Sequence, residues 1–369
     1  MTGWTAATII YVAEGATIRK NLEAPLNTEN QTDLDRCPVA DSREFGNSVP
    51  VIDIAAITRN ASAEGAQQSV KEIATACREW GFFQVVNHDV SAALIDTVWQ
   101  QTRAFFEGPA AAKGKILRSR ENPWGYYNNE LTKNQRDKKE VFDFTTDGTD
   151  PIYGAENRWP DTNSGFRNTM RTYLDACTRL SLTLLEAFCV GLKLPADFMR
   201  HDFAGKHTGF VRLNYYPVAD PLAASNVERL PEADMGVHHH TDAGALTVLL
   251  QDDVGGLQVY RDGYWHDIPS VPGAFVINTG DMMQVWSNDT YRAAMHRVVA
   301  MVDRDRYSIP FFFNPAAATE VSPLPSVVSE ERPSRYRSIN WSEYRGKRTD
   351  GDYADYGPEV QIAQHRIDN

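Results

Sequence analysis

Between residues 68 and 81 the apolar residues Val70, Ile73, Ala74 and Cys77 recur at i, i+3, i+4 and i+7, which predicts a helix with one buried stripe, stopped by Gly81. A short strand is expected before it, over 49–54, and an apolar strand after it, over 82–86. Ser91 can cap a second helix lined on one side by Leu94, Ile95, Val98, Trp99, Phe105 and Phe106. A third helical stripe runs from about Phe166 to Leu192 through Met170, Tyr173, Leu174, Cys177, Leu180, Leu184, Leu185 and Phe188. From Phe210 to Pro315 the texture changes to short apolar runs at 211–216, 246–250, 257–260, 274–278, 282–286, 296–302 and 308–313. Turn signals such as Asp-Asp-Val-Gly-Gly, Arg-Asp-Gly and Thr-Gly-Asp divide them, the pattern of an antiparallel β-sandwich or barrel buttressed by the helices. The segments Trp124-Gly-Tyr-Tyr and 141–144 are expected to add a hairpin at the mouth of that barrel. Residues 1–47 show no sustained period and are read as an amino-terminal extension. Residues 48–369 are read as one domain, with a helical and strand part at 48–165 and a β core at 205–320.

A chain of 369 residues with 42% hydrophobic content can bury a substantial core. With 37 Lys and Arg against 49 Asp and Glu, its formal charge of -12 argues against nucleic acid or an anionic membrane as partner, and for a small molecule. Cys37, Cys77, Cys177 and Cys189 have no CxxC spacing and are read as reduced thiols of a cytoplasmic protein. The one signal-like stretch, 6–13, lacks a basic lead-in, and no apolar run reaches the roughly 20 residues that span a bilayer. Neither export nor a membrane span is expected.

The chemistry concentrates in the run from Gly236 to Thr247, where His240 and Asp242 form an H-x-D pair answered downstream by His296. Two imidazoles and a carboxylate on one face of a metal, with the other face open, suit a non-haem iron(II) oxygenase. On a strand, residues two apart share a face, so His240 and Asp242 can converge on one ion while Thr241 points away. Parity keeps His238 on that face too, and the choice between His238 and His240 falls on His240 because only it completes the H-x-D pair. His238 is then a residue of the pocket or a support for the ligands. Two His and a carboxylate also hold catalytic zinc in hydrolases, which would require a general base beside the metal.

Nine blocks in order are similar to the isopenicillin N synthase-like family of iron(II)/2-oxoglutarate dioxygenases. They are Val-Pro-Val-Ile-Asp (49–53), Gly-Phe-Phe-Gln-Val-Val-Asn-His (81–88), Asn-Arg-Trp-Pro (157–160), Arg-Leu-Asn-Tyr-Tyr-Pro (212–217), His-Thr-Asp-Ala-Gly-Ala-Leu-Thr (240–247), Gln-Asp-Asp-Val-Gly-Gly-Leu-Gln-Val (251–259), Asn-Thr-Gly-Asp (278–281), His-Arg-Val-Val (296–299) and Arg-Tyr-Ser (306–308). The resemblance spans residues 49–365 and implies a mainly β fold with flanking helices, a double-stranded β-helix or jelly roll. It implies His240, Asp242 and His296 as iron ligands, and Arg306 and Ser308 as the grip on the distal carboxylate of 2-oxoglutarate. Tyr216 assists that grip, and Asn214 shares its strand face. A guanidinium fork and a nearby hydroxyl suit a carboxylate.

The expected cofactor is Fe(II), with 2-oxoglutarate and dioxygen as cosubstrates and ascorbate as a stimulant. The expected reaction oxidises, most simply hydroxylates, a C–H bond of a small metabolite while 2-oxoglutarate becomes succinate and carbon dioxide. The rival readings are a 2-oxoglutarate-independent oxidase of the isopenicillin N synthase type and a metal-containing binding protein without catalysis. An apolar, lidded pocket is expected, with Tyr126, Phe142, Phe144, His238, Trp286 and Phe312 as candidate substrate contacts. Departures from the family, Asp-Lys-Lys-Glu at 137–140, Ser-Asn-Asp at 287–289 and the acidic tail at 352–357, point to microbial secondary metabolism.

Overall fold

The computed structural model describes residues 34, 37–41, 49–59, 62–161, 164–220, 222, 235–354 and 359–367. The chain forms two compact units, Met1–Cys37 and Pro38–Asn369. In the first, the described residues Leu34 and Cys37 are joined by a turn in which Cys37 N donates to Leu34 O (3.0 Å). The signal-like stretch at 6–13 and most of the predicted extension lie outside the described residues. Val39, counted with that extension above, forms a bridge to Trp265 within the second unit.

In chain order the second unit contains β1 (Val51–Asp53), α1 (Ala63–Glu79), β2 (Phe82–Val86), α2 (Ala92–Phe106), β3 (Gly125–Tyr127), β4 (Glu140–Thr145), α3 (Ser164–Gly191), β5 (Phe210–Tyr216), β6 (Met235–His240), β7 (Leu246–Gln251), β8 (Leu257–Arg261), β9 (Tyr264–Asp267), β10 (Phe275–Thr279), α4 (Asp281–Trp286), β11 (His296–Val299), β12 (Arg306–Phe313) and α5 (Trp341–Asp350). Strands β1-β2-β10-β7-β12-β5-β4-β3 make an eight-stranded sheet, and β9-β8-β11-β6 a four-stranded one. The pair β1 and β2 is parallel because α1 forms the crossover between them, and the other pairs of the two sheets are antiparallel. This is the jelly roll flanked by helices.

The helices follow the sequence pattern closely. Ser62 caps α1 by accepting from Gly65 N at 3.0 Å, about two turns before the apolar stripe begins at Val70. Asp262 and Gly263, both at positive φ (52° and 89°), make the tight turn between β8 and β9. The run 282–286, one of the series of strand-like stretches in the sequence, is instead α4. Gly280 precedes it at a point where a Cβ would meet Gly244 O at 2.4 Å, and Met282 N donates to that same carbonyl. Only glycine fits at that close approach. Helix α5 has no counterpart in the sequence pattern, its apolar content being too sparse to mark a stripe. The pair β3 and β4 bears out the expected pairing of 124–127 with 141–144.

Each face of the large sheet has its own character. One packs on the helices through Phe83, Val85, Phe142, Phe144, Val211, Leu213, Val248, Ile277, Ile309 and Phe311, in one core with Ile73, Leu174 and Leu184. The other faces the small sheet, where Tyr216, Leu249 and Val276 meet Val237, Leu257, Val259 and Val298. Cys77, Cys177 and Cys189 are buried free thiols, and Cys37 is a free thiol at intermediate exposure.

Candidate active site

His240 ends β6 and His296 begins β11, and the two are register partners across the small sheet, with ring centroids 4.3 Å apart. Their Nε2 atoms each lie 3.6 Å from Asp242 Oδ1. One donor atom from each of the three residues lies within 4.8 Å of the others, close enough to share one ion. Among the described residues this is the one such group of three or more His, Cys, Asp or Glu. Both rings are aimed by their other nitrogens: His240 Nδ1 is 2.8 Å from His238 O and His296 Nδ1 is 3.1 Å from Ala294 O. That tautomer leaves both Nε2 lone pairs toward Asp242. Burial, helped by His296, holds the His240 imidazole down to about 3, so it stays neutral as a ligand must.

Asp242 is oriented from the opposite sheet. Its Oδ2 accepts from Thr247 Oγ1 on β7 and from Asn278 Nδ2 (2.8 Å) on β10, which leaves Oδ1 to the imidazoles. Burial raises its pKa, but His296, His240 and these hydrogen bonds outweigh that and keep it below the usual carboxylate range. The site therefore sits where the two sheets meet, with two donors from one sheet and a carboxylate steered by the other. Thr247 and Asn278 stand within blocks similar to the family's, yet pairwise spacing gives no sign that both reach one oxygen.

Two expectations based on strand parity are corrected. Strand β6 ends at His240, so Asp242 reaches the site from the loop beyond, whose Thr241 O accepts from Arg348 Nη2 at 2.8 Å. A register shift in β6 sets Val237, not His238, opposite Val298, while His240 remains opposite His296. His238 accordingly leaves the ligand face and binds Asp137 Oδ1 through Nδ1 (2.9 Å), and Val237 lines the pocket instead.

On the inner face of the large sheet Arg306 is the register partner of Tyr216, and Ser308 of Asn214 and Gln251. Arg306 is 1% exposed, its guanidinium lies 4.9 Å from the Tyr216 ring centre, and Nη2 is 3.5 Å from Gln251 Oε1. Its Nε and Nη1 have no hydrogen-bond partner, and neither has Asn214 Oδ1, while Asn214 Nδ2 donates to Ser308 Oγ at 3.3 Å. A buried cation with unmatched donors is costly unless an anion joins it. The donor set therefore fits a carboxylate.

The pocket beside His240 and Asp242 has a volume of about 100 Å³, and its walls include Phe210, Phe312, Arg212, Lys139, Arg345 and Arg348. The expected apolar lining gives way to a largely charged one. Phe312 is on the wall, as expected. Tyr126, Phe142, Phe144 and Trp286 are not: they lie in the helix-side core, Tyr126 and Phe142 against Phe105, Phe144 against Phe142, and Trp286 against Phe203. The reason is alternation. Phe142 and Phe144 pair with Leu213 and Val211 on the outer face, which turns Asp143 and Arg212 inward. Arg212 donates to both oxygens of Asp143 (2.7 and 2.8 Å) and to Glu130 (2.6 Å), which also takes Lys139 at 2.7 Å.

A jelly roll with two imidazoles, one carboxylate and an unmatched buried guanidinium defines a non-haem iron oxygenase that uses an oxo-acid cosubstrate. Residues 207–315 match the 2OG-Fe(II) oxygenase superfamily, and residues 49–162 match the non-haem dioxygenase in morphine synthesis N-terminal family. Among curated relatives, Protein DMR6-LIKE OXYGENASE 2 of Arabidopsis thaliana is 32% identical over 312 residues, 84% of this chain and 86% of its own. Flavanone 3-dioxygenase 2 of Oryza sativa subsp. japonica is 34% identical over 306 residues, 81% of this chain and 83% of its own. A full-length Neurospora crassa protein, crystallised in complex with alpha-KG and thymine, superposes with a TM-score of 0.73 at 26% identity, covering 83% of this chain and 98% of that one. The chain belongs to the 2OG-Fe(II) oxygenase superfamily. It is a 2-oxoglutarate-dependent dioxygenase that uses iron(II), 2-oxoglutarate and dioxygen to oxidise a small molecule.

Proposed function

We propose that His240, Asp242 and His296 hold the iron, and that Arg306, Ser308, Asn214 and Tyr216 hold the far carboxylate of 2-oxoglutarate. The observation that carries the second half is Arg306, a buried guanidinium whose Nε and Nη1 lack partners. Iron bound by the triad supplies the activation of dioxygen that converts 2-oxoglutarate to succinate and carbon dioxide and oxidises a substrate C–H bond. The protein's own part is positional. The carbonyls of His238 and Ala294 fix the two rings, Thr247 and Asn278 fix the carboxylate, and the face of β12 that carries Arg306 and Ser308 also carries Phe312 to the pocket wall. The arginine clamp also favours this function over zinc hydrolysis, which gives the Arg306 and Ser308 pair no role; an oxidase of the isopenicillin N synthase type shares that pair, and succinate release coupled to product formation separates it from this reading.

We further assign residues 48–369 to the catalytic domain and the enzyme to the cytoplasm. No helix among the described residues is long and apolar enough to cross a membrane. Hydroxylation of a small metabolite is the proposed outcome, in line with a relative named for dioxygenation of a flavanone.

The test is His296→Ala, measured for iron content and for succinate formed from 2-oxoglutarate without added substrate. Loss of both is expected, and unchanged iron binding would refute the ligand assignment.

A further inference from the structure

Four cations other than the imidazoles line the pocket, and three of them are already engaged. Lys139 Nζ lies 2.7 Å from Glu130 and 2.9 Å from Asp137. Arg212 is held by Asp143 and Glu130, and Arg348 by Glu359 at 3.1 Å and by Thr241 O. Arg345 differs. Among the described residues its guanidinium has no hydrogen bond or ion pair, and it sits 4.8 Å from the ring centre of Phe210. Two carboxylates feel its charge without pairing with it: Asp150, whose Oδ1 accepts from Ile152 N and Tyr153 N, and Asp352, which lies 3.8 Å from Arg118.

The surroundings of Arg345 are built for more than a solvated charge. Trp341, Arg345 and Arg348 stand at i, i+4 and i+7 on α5, so one face of that helix supplies all three to the pocket. Phe210, beneath the guanidinium, stacks on Phe312 with centroids 4.7 Å apart, and Phe312 shares the wall with His240 and Asp242. An apolar platform thus runs beside the metal triad, with an open donor fork over its Phe210 end.

We propose that Arg345 is a specificity residue that binds the carboxylate of an anionic substrate whose apolar body lies along Phe312 and Phe210 toward the metal. The inference rests on the oxygenase reading above and names the substrate class for that same site. A planar guanidinium with free N–H groups matches a carboxylate bidentately, and an ester offers no charge to it.

The experiment uses the full chain loaded with iron(II) and saturating 2-oxoglutarate under anaerobic conditions. Phenylacetate, 3-phenylpropionate, cinnamate and hexanoate are each titrated calorimetrically against their methyl esters. At least one acid is expected to bind about 10- to 100-fold more tightly than its ester, the range of a charge-assisted pair. Arg345→Met, which keeps apolar contact with Phe210, should erase that preference, and Arg345→Lys should retain part of it. Absence of any acid preference in the wild type, or a preference that survives in Arg345→Met, overturns the anion site. If Arg345→Met fails to fold, the wild-type comparison and Arg345→Lys still decide. A wild-type protein that binds no iron(II) and forms no succinate would overturn the oxygenase reading and this inference together, an outcome distinct from normal succinate formation without acid preference.

Discussion

The two faces of the eight-stranded sheet are made from the same strands and do opposite work. On the helix side, Phe142, Phe144, Val211, Leu213 and Phe311 pack into a continuous apolar core. On the side toward the small sheet, the residues between them in sequence, Asp143, Arg212, Asn214, Ser308 and Phe312, pair with one another and with Thr247 and Gln251. The helix face holds the strands rigid and the inner face holds the chemistry. A strand with side-chain period two delivers both at once. Polar groups can be kept unsatisfied inside, as at Arg306, because burial on the other face stabilises the same backbone.

The widest separation of the faces should come from Phe311→Ala. A fully buried aromatic is lost, and unfolding in denaturant is expected to fall by about 3–5 kcal/mol, with little change in the 2-oxoglutarate affinity of the molecules that remain folded. The converse is Arg306→Met, on the same strand five residues earlier. The dissociation constant for 2-oxoglutarate should rise about 100-fold, while stability without ligand should hold or increase, since a poorly matched buried charge is removed. If Arg306→Met unfolds the protein as severely as Phe311→Ala does, the division of labour between faces is wrong.

A smaller effect tests the junction of the sheets. Asn278→Ala frees Asp242 Oδ2 of one donor, and iron affinity measured by competition with a chelator should drop about 10-fold. The least effect is expected from acid. Burial holds the His207 imidazole down to about 4 in the folded protein, from 6.5. The unfolded chain therefore binds the extra proton first as pH falls, so the stabilisation is whole above pH 6.5 and is lost between 6.5 and about 4. Discounted for partial exposure, this is on the order of 1 kcal/mol. His207→Gln should flatten the stability profile in that window, as read from thermal unfolding at several pH values.

How much of this can be read from the chain divides along physical lines. The three long helices, most core strands and the donors His240, Asp242 and His296 are legible because each signal is local: a stripe at helical period, alternation between turns, an H-x-D pair. Arg306, Ser308, Asn214 and Tyr216 are legible once the resemblance supplies their roles, and the register sets them on one face because an even spacing on a regular strand preserves that face. His238 escapes the parity rule because one register shift cancels it. Phe142 and Phe144 look like substrate contacts because aromatic character is visible in sequence and the direction of a strand's face is not. Arg345 carries no local signal, since only folding brings α5 to the pocket.

By itself, then, the sequence determined the class of enzyme, the set of donors and the order of the elements, all of which depend on neighbours in the chain. Only the tertiary structure decided which oxygen of Asp242 is turned to the imidazoles, which arginines are already paired and which side of each strand faces the pocket. Those depend on groups far apart in the chain, such as Thr247 with Asn278 or Phe210 with Arg345. No local pattern encodes a contact that exists only after both sheets have closed on each other.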